Sequence, residues 1–123
     1  MTGDINETGK IGLKITAHPE HLLFSERNNF IISLTVTNLS GQLMRPELYL
    51  TKLFINEVES FVWSLAIGNG KKEAQWYSLP PGETTSMAWK SLGEPFFPVP
   101  GEYVLYAALH HKRSEEIRVF VNR

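Results

Sequence analysis

The turn at Pro100-Gly101 and the strand after it constrain the fold more than any other stretch of this sequence. Proline presets φ for the second position of a tight turn, and glycine supplies the positive φ that a type II turn requires at its third. Over residues 102–111, apolar side chains fall on both faces of the predicted strand. A strand with two apolar faces is covered on both sides, so we predict that this one lies at the centre of a β-sheet.

A second Pro-Gly-Glu turn, at residues 81–83, precedes another predicted strand over residues 84–92. Two such turns, each leading directly into a strand, are typical of antiparallel β-structure. If φ is positive at Gly82 and Gly101, a valine at either position strains the backbone.

Five further segments have the composition and length of β-strands and are bounded by turn residues. They are residues 11–17, 30–37, 47–55, 73–79 and 117–121. The strand over residues 73–79 is expected at the edge of a sheet, because Pro80-Pro81 ends it at once.

Residues 60–68 follow a different pattern. Phe61 and Leu65 have the i,i+4 spacing of a helix, and Ser60 is a favourable N-cap residue. Gly68 is placed to end the segment. We predict one or two helical turns here in preference to a strand.

About seven strands with frequent turn signals and no long helix predict an all-β fold, an immunoglobulin-like antiparallel β-sandwich. A chain of 123 residues suits a single domain. We assign this domain to residues 11–123. Residues 1–10 are polar and are expected to form a flexible tail.

The composition excludes several classes of function. Twelve basic and 13 acidic residues give a net charge of −1, which creates no field to attract nucleic acid or an anionic membrane. No window approaches the ~20 apolar residues of a membrane span. The sequence has no cysteine, so disulfides and thiol catalysis are excluded. The polar N-terminus lacks the apolar core of a signal peptide, which predicts a cytoplasmic protein if Met1 is the natural start.

The sequence contains no recognisable catalytic or metal-binding pattern. Its single aspartate, Asp4, falls in the predicted tail, and the Gly-x-Ser-x-Gly motif is absent. The four histidines form two sequence pairs that we expect at opposite ends of the sandwich. These pairs are His18 with His21 and His110 with His111. We therefore predict a protein without catalytic activity, metal or cofactor.

A binding surface is the remaining candidate for function, because loops on a rigid sandwich commonly carry recognition. We place it on the irregular segment 56–72 and on the predicted edge strand near position 76. The candidate binding residues are Trp63, Asn69, Lys71, Lys72, Trp76 and Tyr77. The expected partner is a protein. The alternative is a carbohydrate that stacks on exposed aromatic rings, although core packing is the commoner fate of such rings.

Two turns and a strand end resemble the bacterial intracellular proteinase inhibitor family of the BsuPI type. The matching residues are Leu79-Pro80-Pro81-Gly82-Glu83, then Trp89, then Pro100-Gly101-Glu102-Tyr103, with a further match over residues 32–38. The resemblance covers residues 30–38 and 79–109, and it implies an immunoglobulin-like sandwich that inhibits proteinases. No inhibitory residue carries over, because no reactive-loop motif matches.

Overall fold

The computed structural model describes residues 10–70 and 72–123. Within these residues, nine β-strands form two sheets. The strands are β1 (Ile11–His18), β2 (His21–Leu23), β3 (Ile31–Asn38), β4 (Lys52–Ile55), β5 (Val58–Glu59), β6 (Thr84–Lys90), β7 (Gly101–Leu109), β8 (Lys112–Arg113) and β9 (Ile117–Asn122). The chain is therefore mostly β. Of the predicted tail, only Lys10 is among the described residues, where it precedes β1.

The first sheet has the strand order β1-β3-β6, and all its pairs are antiparallel. Burial alternates along β3, because its apolar side chains point into the core while serine and threonine point outward. Ile32, Leu34 and Val36 have no exposed surface.

The second sheet has the order β2-β9-β7-β4-β5, and β8 pairs with β7. The pair β2–β9 is parallel and the others are antiparallel. β7 lies in the middle, as its two apolar faces predict. β1 contacts both β7 and β9, so side chains from the two sheets share one hydrophobic core.

The positive φ predicted for both glycines is confirmed, but a tight turn forms only at Gly82, where the Glu83 N–H bonds to the Pro80 carbonyl oxygen at 3.1 Å. Gly101 is instead the first residue of β7, with a φ far from the value of about 80° in a type II turn. Gly82 has a φ of 79° and Gly101 a φ of 153°, and both angles are positive. Each glycine stands at or just before a strand, β6 and β7 respectively. The connection between these strands contains α2 (Gly93–Phe96), whose last residue, Phe96, is buried together with Phe97.

Two predicted strands are wrong over part or all of their length. In segment 47–55, only β4 is extended, because Glu47 adopts a left-handed φ of 54° and residues Leu48–Leu50 form a 3-10 turn. Segment 73–79 is not an edge strand. Residues Ala74–Trp76 form a 3-10 turn that turns the Trp76 ring into the core, and a single bridge joins Leu79 to Met44.

The helix predicted near residues 60–68 is confirmed as α1 (Phe61–Asn69). The Ser60 hydroxyl accepts a hydrogen bond from the backbone N–H of Trp63 at 3.2 Å, which makes Ser60 the predicted N-cap. The helix does not end at Gly68, as expected, but continues to Asn69.

Candidate functional site

The inner side of α1 is anchored in the core by two side chains. Trp63 has no exposed surface, and its indole N–H donates a hydrogen bond to the Thr51 carbonyl oxygen at 3.0 Å. Its ring meets that of Trp89 at 4.6 Å between centroids, in an edge-to-face arrangement. Ile67, one turn further along, is also buried. These contacts fix which face of the helix points outward.

The outer side of α1 is apolar as well. Phe61 is 75% exposed and Leu65 is 65% exposed. They are four residues apart and lie on one face. Since both side chains are mostly exposed, the described residues leave this apolar outer face uncovered.

The neighbouring hairpin adds a third exposed apolar side chain. Asn56 and Glu57, between β4 and β5, have φ of 50° and 71°, as in a type I′ turn. The Asn56 side chain accepts a hydrogen bond from the Val104 N–H at 2.9 Å, which ties the turn to β7. The turn leads into Val58, which is 69% exposed.

A shallow cleft of about 410 Å³ lies between this hairpin, the start of α1, and α2 with the segment that follows it. Its apolar lining includes Ile55, Val58, Phe61, Val62, Pro95 and Pro98. We call the cleft, together with Leu65, the α1 surface. Its side chains are of the types that form the centre of protein–protein interfaces.

Two of the predicted binding residues do not reach the surface. Trp63 and Trp76 are fully buried, so neither ring can stack on a ligand or a partner. The core takes both indoles because they are the largest apolar side chains available to fill it. Asn69 is exposed, and Lys71 falls outside the described residues.

The structure brings the remaining two predicted residues together around a tyrosine that the sequence analysis did not single out. The rings of Tyr49 and Tyr77 lie 5.9 Å apart, and Tyr77 is 38% exposed. The Lys72 ammonium lies 6.0 Å from the Tyr49 ring centroid and donates a hydrogen bond to the Gly68 carbonyl oxygen at 2.8 Å. This tyrosine pair is the only remnant of the predicted aromatic platform among the described residues.

Glu47 acts on Tyr49 directly. The Tyr49 hydroxyl donates a hydrogen bond to the Glu47 carboxylate at 2.9 Å. This bond raises the pKa of Tyr49 above its ordinary value, and burial adds to the rise, because both favour the neutral phenol. Arg45 lies 3.6 Å from the same carboxylate. The polar groups of this cluster are thus paired with one another, while the Tyr77 ring stays partly exposed.

A second cleft, of about 470 Å³, lies beside the outer edge of β1. Its lining mixes Lys14 with Glu115 and Glu116, and two threonines of β3. Glu116 already pairs with Arg113 at 3.0 Å. The cleft has no large exposed apolar side chain in its lining, and this distinguishes it from the α1 surface.

Within residues 10–70 and 72–123, no three histidine, aspartate or glutamate side chains stand close enough to share a metal ion. In the same part of the chain, no helix is both long and apolar enough to cross a membrane.

Val58, Phe61 and Leu65 lie within the predicted surface segment 56–72 but were not among the residues predicted to bind. The signal was present in the sequence of α1, where apolar residues far outnumber Ser64 and Asn69 and cannot all face the core. Val58 carried no such signal, since its exposure depends on the hairpin geometry.

No family model and no curated protein matches the chain. The solved structures that resemble it in fold include two beta-glucosidases. One is the beta-glucosidase EmGH1 from Erythrobacter marinus, with a TM-score of 0.55 and 14% identity over 90% of this chain and 15% of that one. The other is a beta-glucosidase from Listeria innocua in complex with glucose, with a TM-score of 0.54 and 12% identity over 92% of this chain and 16% of that one. This chain thus spans a small part of either enzyme.

Proposed function

We propose that this protein is a non-catalytic, immunoglobulin-like module that binds a protein partner through the α1 surface. The observation that carries the proposal is the outer face of α1, where Phe61 and Leu65 are mostly exposed beside Val58. Isolated apolar side chains are ordinary on a protein surface, but here Val58 and Phe61 line one cleft and Leu65 lies on the same helix face as Phe61. Such a cluster of exposed apolar side chains supports a docking site.

The strand arrangement supports the immunoglobulin-like part of this proposal. The strand orders are β1-β3-β6 in one sheet and β2-β9-β7-β4-β5 in the other. The N-terminal strands β1 and β2 thus fall in different sheets, and the two sheets face each other as in a sandwich. The hydroxyl of Tyr103, near the start of β7, donates a hydrogen bond to the Val99 carbonyl oxygen at 2.5 Å. A tyrosine bonded to the backbone a few residues upstream is a recurring feature of this fold.

Proteinase inhibition is the specific form of binding that the resemblance over residues 30–38 and 79–109 suggests. The test is residual activity of trypsin-like and subtilisin-like proteinases titrated with the purified protein, with a gel to follow its integrity. We expect stoichiometric inhibition by an intact chain, lost in Phe61→Asp and retained in Leu39→Asp, whose side chain is similarly exposed at 64%. Digestion of the chain, or no inhibition, withdraws this form of the proposal.

A carbohydrate-binding module is the alternative. Two observations favour it: the exposed edge of the Tyr49–Tyr77 pair, and the fold-level likeness to two beta-glucosidases. Tyr77→Ala is the appropriate test variant, because substitution of the buried Trp76 disturbs packing instead. Binding to a glycan array that Tyr77→Ala abolishes and Phe61→Asp preserves selects this alternative.

A further inference from the structure

We infer that the partner segment recognised by the α1 surface carries an apolar anchor flanked by lysine or arginine. This inference rests on the proposed function, and it specifies the chemistry of the partner.

The cleft of the α1 surface is apolar at its centre and acidic at its edge. Glu59 is the sole charged residue in its lining. Glu57 stands next to Val58 in the exposed hairpin turn, and Glu94 is exposed next to Pro95 on the opposite side of the cleft. Among the described residues, none of these three carboxylates has a salt-bridge partner.

Arg27, which contacts the backbone of Glu94, is already engaged elsewhere. The Arg27 guanidinium lies 3.6 Å from the Phe24 ring centroid, and its Nε donates to the Phe24 carbonyl oxygen at 2.8 Å. Its remaining bonds go to the carbonyl oxygens of Phe97 and Glu94, at 3.0 and 3.4 Å. Because these acceptors are backbone groups, Arg27 leaves the carboxylates at the edge without a bonded counter-charge.

The apolar centre and acidic edge of the cleft determine which partner segments bind well. Desolvated apolar contacts supply most of the affinity of an interface, whereas charges at its rim set the encounter rate and exclude partners of the wrong sign. An acidic segment is repelled by Glu57, Glu59 and Glu94, and a wholly neutral one gains nothing from them. An apolar anchor with basic residues on both sides satisfies the centre and the edge together.

A random peptide library displayed on phage tests the inference. It is panned on the immobilised full chain and depleted on Phe61→Asp. We expect the enriched peptides to place an apolar residue close to lysine or arginine and to carry net positive charge. A synthetic peptide from this set should bind about tenfold more weakly to a Glu57→Lys, Glu59→Lys, Glu94→Lys triple variant.

A matched triple variant controls for total charge. Glu20→Lys, Glu26→Lys and Glu83→Lys make the same change in net charge at exposed positions elsewhere on the molecule. Equal weakening by both triple variants, or Phe61-dependent peptides with neutral or acidic flanks, overturns the inference and leaves the proposed function standing.

Two other outcomes bear on the α1 surface itself. If no peptide depends on Phe61, the α1 surface is not a docking site, and both the proposal and the inference fail. Analytical ultracentrifugation of the wild-type chain and of Phe61→Asp tests whether a second copy of this chain occupies the α1 surface. A dimer that Phe61→Asp abolishes assigns the surface to a second copy of this chain, which overturns the basic-segment inference.

Discussion

At the scale of single residues, two buried tryptophans differ in one hydrogen bond. The Trp63 indole N–H donates to the Thr51 carbonyl oxygen, whereas the Trp76 N–H has no partner among the described residues. Replacement by phenylalanine removes a similar volume at each site, but only at Trp63 does it remove a hydrogen bond and leave a buried acceptor without its donor.

Trp63→Phe should therefore lower the free energy of unfolding by about 1 kcal/mol more than Trp76→Phe does. Urea denaturation of the two variants and the wild-type chain measures the difference. Equal losses would show that the hydrogen bond to Thr51 contributes nothing net.

The raised pKa of Tyr49 makes the stability of the fold depend on pH in the alkaline range. Its pKa is raised by the hydrogen bond to Glu47, so as the pH rises past about 10 the unfolded chain releases this proton first. The stabilisation is fully present below that pH and is lost as the pH rises through the folded pKa. An absorbance titration of the four tyrosines should show a late step that Tyr49→Phe removes and Tyr77→Phe retains. A late step that persists in Tyr49→Phe contradicts this assignment.

Asn38, a buried asparagine at the end of β3, is held by hydrogen bonds from its side chain. The Asn38 side chain donates to the carbonyl oxygens of Gln42 and Leu79 and accepts from the Ser40 N–H and hydroxyl. It thus joins the end of β3 to the segment before β6. The sequence placed an asparagine at a strand end, but only the structure reveals its four hydrogen bonds, because one acceptor, Leu79, is 41 positions away.

At the scale of elements, α2 is held against the 3-10 helix Phe24–Asn29 at a site that admits no side chain. A Cβ on Gly93 would overlap the Arg27 carbonyl oxygen and lie 3.0 Å from the Phe30 Cβ. This requirement could not be predicted from the sequence, since it arises from the approach of two distant backbones.

Gly93→Ala should therefore destabilise the fold by at least about 2 kcal/mol, because the buried overlap forces backbone movement. The matched control is Gly41→Ala, where a Cβ meets nothing within 4 Å. Thermal unfolding of both variants makes the comparison, and a Gly93→Ala protein as stable as the control would show that α2 is free to shift.

The elements that local sequence predicted correctly are those whose signals are local. The turn at Gly82, the alternating strand β3 and the capped helix α1 need no distant partner to be recognised. Segments 47–55 and 73–79 were predicted wrongly because tertiary contacts decide their conformation. The Glu47 N–H bonds to the Trp76 carbonyl oxygen at 2.7 Å, so the two segments fix each other.

At the scale of the whole molecule, the core and the candidate site share one element. α1 places Trp63 and Ile67 among the buried side chains of the two sheets and Phe61 and Leu65 on the surface. The sequence predicted the helix from the same residues but assigned binding to its buried tryptophan. Spacing alone specifies that Phe61 and Leu65 share a face, and only the position of the sheets determines which face is inside.

Site-specific photo-crosslinking in the native cells tests most directly whether the α1 surface is a docking site. A photoreactive phenylalanine analogue replaces Leu65 in one variant and Leu39 in the other, two side chains that are 65% and 64% exposed. We predict one dominant adduct at position 65, identified by mass spectrometry and absent at position 39. The same adducts at both positions, or none at position 65, would contradict the account.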